Sequence, residues 1–343
     1  MSSCEQERGL PRPPSSRSRR GRFLAHSFFI SFWAPATWPA FRLLVAPHGE
    51  SKMTDSMRPK VLRLALPKGR MQAAVFELLR EAGMHLTASS REYRPIVSLP
   101  GVEAKILKPQ NIVEMLHQGS RDLGFTGADW VEELGANLVQ LIDTEFDLVS
   151  VVVAAPHSIL EGGLLPNRKI VVASEYESIT KRWIESKGID ATFVRSYGAT
   201  EVFPPEDADC IVDLTASGAT LRANDLVVVE ELMRSSTRLY ANPRALDDAA
   251  RRERIEDFVL LVRSVLEARS RVMLEVNVAS EKLEGLVAVL PCMREPTIAP
   301  LHGDAGYAVK AAVPRSELPR VVPLLKARGG TDIVVTEIAQ IVP

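Results

Sequence analysis

Asp213 ends an apolar run, Cys210-Ile-Val-Asp213, and stands four residues ahead of the pair Ser217-Gly218. The segment that follows, Thr215-Ala216-Ser217-Gly218-Ala219-Thr220, offers hydroxyls and small residues. That combination suits a sugar phosphate: the carboxylate holds ribose hydroxyls or a magnesium-bound water, while loop N–H and hydroxyl groups take the phosphate. Helix capping is the alternative for Asp213, and its distance from the helix body, expected from Leu221, weighs against it. A second set, Lys68 and Arg70 around Gly69, lies at the carboxyl end of the first strand, where open α/β sheets bind ligands. A third, Asp122-Leu-Gly124-Phe-Thr126-Gly127-Ala-Asp129, reads as a short strand meeting a Thr-Gly turn and a helix over residues 130–134. Such connections present backbone N–H groups to anions at a helix start. A single one needs its glycine only to turn.

These residues need an α/β frame, and the chain supplies one. From residue 61 short apolar runs alternate with amphipathic stretches. Residues 61–66 read as a strand, 67–70 as a loop and 71–82 as a helix ended by Gly83. After Asn242-Pro-Arg244, residues 245–269 read as a long charged helix connecting to a smaller unit. There the expected order is strand 272–278, helix 280–290, strand 297–299, strand 307–313, helix 315–328 and strand 332–335. This β-α-β-β-α-β order is the ferredoxin-like motif, a separate small domain.

Composition narrows the classes. The 343 residues are 46% hydrophobic and 25% charged, with 42 Lys+Arg against 43 Asp+Glu, as in an ordinary globular protein of two or three domains. Cys4, Cys210 and Cys292 make no metal spacing and suit a reducing, cytoplasmic setting. The six histidines are scattered, with no His-x-x-x-His pair, so a zinc hydrolase is a poor reading. The first 57 residues hold eight Lys/Arg against four Asp/Glu, which leaves 34 against 39 for the rest. An acidic body without a basic helix or an aromatic stacking motif gives nucleic-acid binding no support. It also means that an anionic substrate must be met by local cations and backbone dipoles.

Residues 1–57 differ from the remainder, holding Phe23, Phe28, Phe29, Phe32, Trp33, Trp38 and Phe41 beside a basic run at residues 17–22. The apolar stretch over residues 23–46 is interrupted by His26, Pro35, Pro39 and Arg42, which argues against a membrane span. A secretory signal, an organellar transit peptide and translated sequence upstream of the true start compete for this extension. Met53 and Met57 directly precede the first strand pattern and favour the last. The expected organisation is an extension over residues 1–57, a two-lobed catalytic region over 58–270 and a regulatory domain over 271–343.

Four segments in order carry a resemblance. Leu64-Ala-Leu-Pro-Lys-Gly-Arg70, Lys108-Pro-Gln-Asn-Ile112, the 122–129 segment and Ala208-Asp-Cys-Ile-Val-Asp-Leu-Thr-Ala-Ser-Gly-Ala-Thr-Leu-Arg-Ala-Asn224 resemble the motifs of the ATP phosphoribosyltransferase family. The resemblance runs from about residue 61 to the C-terminus. It implies condensation of ATP with phosphoribosyl pyrophosphate to N1-(5-phosphoribosyl)-ATP and pyrophosphate, with Mg2+, as the first step of histidine biosynthesis. It implies an α/β fold with two lobes like a periplasmic binding protein and substrates in the cleft between them, followed by a ferredoxin-like (ACT-like) α+β domain. On that template Asp213, Thr215, Ala216, Ser217, Gly218, Ala219 and Thr220 cradle phosphoribosyl pyrophosphate, and Asp213 acts in catalysis. Lys68, Gly69, Arg70, Lys108, Gly124, Thr126 and Gly127 hold the remaining phosphates or the nucleotide. The magnesium ligands stay unassigned. Two departures stand out: Ala216-Ser217-Gly218 where Ser-Thr-Gly is frequent, and Lys108 where arginine is usual, which removes a bidentate fork.

Leu290-Pro-Cys-Met-Arg-Glu-Pro-Thr-Ile-Ala-Pro-Leu301 resembles the regulatory domain of the long form of this family, which binds histidine as a feedback inhibitor. Thr297 is then a candidate inhibitor contact; read without the family, the two prolines merely shape an edge strand. The resemblance also implies a homo-oligomer, a hexamer exchanging with dimers. A solute-binding receptor on the same fold would need neither Asp213 nor the phosphate loops. The common phosphoribosyltransferase family shows two adjacent acidic residues before its loop, whereas Val212 precedes Asp213 here.

Overall fold

The computed structural model describes residues 61–87 and 93–342; the extension expected over residues 1–57 lies outside them. The chain begins with β1 (Leu62–Pro67), where Leu62, Leu64 and Leu66 alternate onto one buried face and Ala65 onto the other. Helix α1 (Gln72–Glu81) buries Val75, Leu78 and Leu79 against that first face. A small hairpin, β2 (Leu86–Thr87) with β3 (Ile96–Val97), precedes β4 (Val102–Leu107), α2 (Pro109–Gln118), β5 (Leu123–Gly127) and α3 (Ala128–Glu133). β1 pairs in parallel with β4 on one side and β5 on the other.

Two long strands follow, separated in sequence but paired over their whole length: β6 (Val139–Pro156) and β10 (Leu226–Ala241). Between them lie β7 (Ile170–Ser174), α4 (Glu177–Lys187), β8 (Ala191–Arg195), β9 (Cys210–Thr215) and α5 (Ala219–Ala223). The sheet order β4-β1-β5-β10-β6-β9-β7-β8 places β6 and β10 at its centre. The end of β10 pairs with β5, and the far half of β6 pairs with β9. These two strands therefore belong to both lobes. Their register shifts between Val228 and Glu230, Glu231 and Met233, and Ser235 and Thr237, and Glu145 and Asp147 take left-handed φ values of 59° and 50°. Such bulges bend and twist a ladder, which lets one sheet serve two lobes.

Each lobe has its own core. The first centres on Leu64, Leu78, Phe125 and Leu239; the second on Val151, Val172, Trp183 and Val212. α6 (Pro243–Asp247) and α7 (Ala249–Ser270) follow β10. The helix expected from residue 245 is thus two helices, because Asp248 leaves the helical region (φ −83°, ψ 112°) and its side chain accepts the Arg251 N–H to start α7. α7 packs into the first lobe through Ile255, Phe258, Val262 and Val265, with the Phe258 ring 6.5 Å from that of Phe125.

The remaining chain makes a second sheet from β11 (Arg271–Val278), β12 (Thr297–Pro300), β13 (Tyr307–Pro314) and β14 (Thr331–Glu337), with α8 (Leu283–Val287) and α9 (Leu318–Ala327). Its order, β12-β13-β11-β14, puts the first and third strands in the middle, as the ferredoxin-like motif requires. Val272, Leu274, Val276, Val309 and Val313 form its core with Leu286, Val321 and Leu325 from the helices. The helix expected over residues 280–290 is shorter, ending at Val287. Among the described residues no helix is long and apolar enough to cross a membrane.

Candidate active site between the lobes

Register shows where the strand ends meet. Gly127, at the end of β5, pairs with Thr237 on β10, which pairs with Phe146 on β6. Thr215, at the end of β9, pairs with Ser150, four residues along the same strand. β1 and β4 run parallel to β5, and β7 parallel to β9. The carboxyl ends of all five strands thus converge on the middle of the crossing pair, the position of ligand sites in open α/β sheets.

On the first lobe, Lys68 follows β1 and its N–H donates to the Leu107 carbonyl at 2.8 Å. Its ammonium donates to the Tyr93 hydroxyl at 2.9 Å and sits 4.8 Å from that ring's centre. This hydrogen bond, and then the cation's field, hold the Tyr93 hydroxyl below its ordinary pKa. Arg70 reaches Asp147 on β6 at 3.5 Å, and Asp147 also accepts the Thr237 hydroxyl at 3.1 Å. Lys108 is exposed at the N-terminus of α2 and has no ion pair among the described residues.

The 122–129 segment corrects the expectation of a Thr-Gly turn. β5 runs through Gly127 with all five residues buried, and α3 starts at Ala128. Gly124 lies inside the sheet, where a Cβ would stand 2.9 Å from Ile112 Cγ2 and 3.1 Å from Ala65 Cβ. It is a glycine so that α2 can close on β1 and β5, and phosphate contact does not explain it. Thr126 is also inward, its hydroxyl donating to the Pro109 carbonyl at 3.2 Å. Of the three residues, Gly127 alone stands at the strand end.

Beyond Gly127, residues missed in the sequence tie the lobes together. Buried Asp129 accepts the Ser235 hydroxyl at 2.5 Å and the Tyr176 hydroxyl at 2.8 Å. Burial first, and then the Asp129 charge, push the Tyr176 phenol far above its ordinary value, so it stays a donor. Glu133 accepts the Ser178 and Ile179 N–H groups at 3.0 Å each, capping α4 from outside its own segment. The Trp130 ring lies 4.8 Å from that of Tyr176.

On the second lobe, Asp213 Oδ1 accepts the Leu214 N–H at 2.7 Å. The carboxylate therefore does not cap α5. Burial raises its pKa to about 6; the Leu214 N–H opposes this, and the fields of Glu201 and Glu175 add to it. The loop closes on itself: the Thr215 hydroxyl accepts the Gly218 N–H at 3.0 Å and the Ser217 hydroxyl the Ala219 N–H at 3.4 Å. Ala216, Ser217, Ala219 and Thr220 are exposed. Gly218 has φ 72°, and a Cβ there would meet the Arg222 guanidinium at 2.8 Å. Arg222 donates to the Ser217 carbonyl at 3.0 Å and so sets a cation beside the loop, a role its place inside the quoted 208–224 motif could have signalled. α5 has only five residues, so charge and loop N–H groups matter here more than a helix dipole.

Among the described residues no group of three His, Cys, Asp or Glu side chains is placed to hold a metal alone. Magnesium usually takes one or two carboxylates together with substrate phosphates. The half-buried Asp213 carboxylate, made basic mainly by burial and further by Glu201 and Glu175, fits that mode. In the small domain, Thr297 lies on edge strand β12 opposite Lys310. With Met293, Glu295 and Ile341 they line a cleft of about 280 Å³.

Comparison with known proteins gives one family. The profile of ATP phosphoribosyltransferase matches residues 108–264, and that of the HisG C-terminal domain matches residues 268–340. The ATP phosphoribosyltransferase of Pelotomaculum thermopropionicum is 34% identical over 288 residues, 82% of this chain and 99% of its own. That of Chlorobium phaeovibrioides is 34% identical over 295 residues, 84% of this chain and all of its own. Among solved structures, the ATP phosphoribosyl transferase (HisG:HisZ) complex from Thermotoga maritima matches with a TM-score of 0.55 at 26% identity, over 60% of this chain and 99% of that one. The chain belongs to the long form of the ATP phosphoribosyltransferase family, the transferases that condense ATP with phosphoribosyl pyrophosphate in the first step of histidine biosynthesis.

Proposed function

We propose that the cleft between the lobes, within residues 58–270, holds both substrates, and that the domain over residues 271–343 binds histidine and inhibits the reaction. The convergence of five strand ends on the crossing strands carries this reading, because it sets Asp213 and its loop opposite Lys68 and Arg70. The 215–220 loop takes the 5-phosphate, and Arg222 adds charge beside it. Lys68, Arg70 and Lys108 meet the pyrophosphate or the triphosphate of ATP. Bound magnesium supplies charge neutralisation on the pyrophosphate.

Adenine N1 is already a nucleophile, so the protein needs position and charge stabilisation more than a base. As N1 closes on the anomeric carbon and the bond to pyrophosphate breaks, positive charge develops on the ribose. Ionised Asp213 stabilises that charge. The proton balance needs no general base, and none is proposed. We also propose a homo-oligomer, a hexamer exchanging with dimers, acting in the cytoplasm.

The test of the regulatory half is turnover measured against histidine concentration. The full chain is inhibited, and a chain ending at residue 270 turns over without inhibition. Inhibition surviving in an active truncation would place the histidine site elsewhere.

A further inference from the structure

Away from the catalytic cleft, three cations share a pocket in which none of them makes an ion pair among the described residues. Arg121, in the turn between α2 and β5, is only 9% exposed, and among the described residues its guanidinium makes no hydrogen bond or ion pair. The neighbouring carboxylate is committed elsewhere. Asp122 accepts from Arg63 through its backbone N–H at 2.8 Å, Nε at 3.0 Å and Nη2 at 2.7 Å, and lies 3.6 Å from Arg251. Lys105 on edge strand β4 and Arg94 before β3 line the same cleft of about 340 Å³, and they too lack ion pairs among the described residues. Arg121 first, and then Arg94, hold the Lys105 ammonium below its ordinary pKa. Burial, and then Arg63, do the same to Arg121. Among the described residues Glu103 is the one carboxylate on the lining, and it is exposed.

An arginine largely shielded from solvent and set among other cations costs stability unless an anion meets it. The position also separates this pocket from the substrates: Arg121 precedes β5 and Lys105 lies mid-strand, whereas the catalytic groups follow the carboxyl ends. We propose that this pocket is a second anion site, taking the phosphate or pyrophosphate group of a small metabolite on Arg94, Lys105 and Arg121. The rest of the lining includes Ile96 and Val97, so charge rather than an aromatic platform selects the ligand. The volume is at the lower end of the range for small-molecule sites and suits a diphosphate group.

The experiment is calorimetric titration of inorganic pyrophosphate into the full chain without magnesium, using wild type, Arg121→Met, Lys105→Gln and, as a catalytic-cleft control, Arg70→Met. The expected result is a class of site that survives Arg70→Met and weakens about tenfold or more in Arg121→Met and Lys105→Gln. Arg121→Met removes an uncompensated charge, so in phosphate-free buffer its thermal midpoint is at least that of wild type, and its rise with pyrophosphate is smaller. Repeating the titration with ADP separates the sources: loss of ADP binding in Arg121→Met identifies a nucleotide site, and loss of pyrophosphate binding alone a site for the free anion. Wild-type affinity and stoichiometry for pyrophosphate in both Arg121→Met and Lys105→Gln would overturn the proposal.

Discussion

Replacing Asp213 by asparagine separates stability from catalysis, because the folded protein holds this carboxylate at a disadvantage. Its pKa rises from 3.8 to about 6, mainly through burial. At about 1.36 kcal/mol per unit, ionised Asp213 costs the folded state roughly 3 kcal/mol. The sign follows from the raised value. Below pH 3.8 the group is protonated in both states and adds nothing; as pH rises to about 6 and beyond, the folded state bears the whole cost. Asparagine keeps an oxygen for the Leu214 N–H and carries no charge. Asp213→Asn is therefore expected to melt several degrees above wild type at pH 7.5, with the gap closing towards pH 4. Its turnover should fall sharply, because the charge that stabilises the ribose is lost. Scanning fluorimetry from pH 4 to 8, with steady-state kinetics on the same samples, reads both. A lower midpoint at pH 7.5, or a gap independent of pH, would refute the electrostatic account of this residue. Near-normal kinetics would remove it from the mechanism.

Gly124→Ala should destabilise by about 1–3 kcal/mol in denaturant titration, since the new methyl meets Ile112 Cγ2 at 2.9 Å, and combined with Ile112→Ala, which removes that Cγ2, it should cost less than the sum of the two single losses. Tyr176→Phe removes a donor from buried Asp129 and should cost about 1–3 kcal/mol in the same assay; no loss would show that the tie between the lobes carries little stability.

The sequence revealed what repeats locally. The strand leading into Lys68-Gly69-Arg70 and the one carrying Asp213 could be read because apolar runs and glycine loops are contiguous, and the small domain because its elements alternate within about 70 residues. The crossing strands escaped notice. β6 and β10 are bent by bulges and by left-handed Glu145 and Asp147, so their alternation is irregular, and their partners lie up to 102 residues apart in pairs such as Val139 and Ala241. The same distance hid Asp129, Glu133 and Tyr176, whose polar groups are satisfied only across the lobes. Gly124 misled for a local reason: glycine in a Gly-x-Thr-Gly segment suits a phosphate loop as well as close packing, and only the position of Ile112 decides between them.

The central claim is transfer of a phosphoribosyl group to adenine N1 in the cleft between the lobes. It is tested most directly by incubating the purified chain with ATP, phosphoribosyl pyrophosphate and magnesium while following the absorbance of N1-substituted adenine and the release of pyrophosphate. The account predicts both products in equal amounts, with loss of turnover in Asp213→Asn. A folded wild-type sample that forms neither would contradict it.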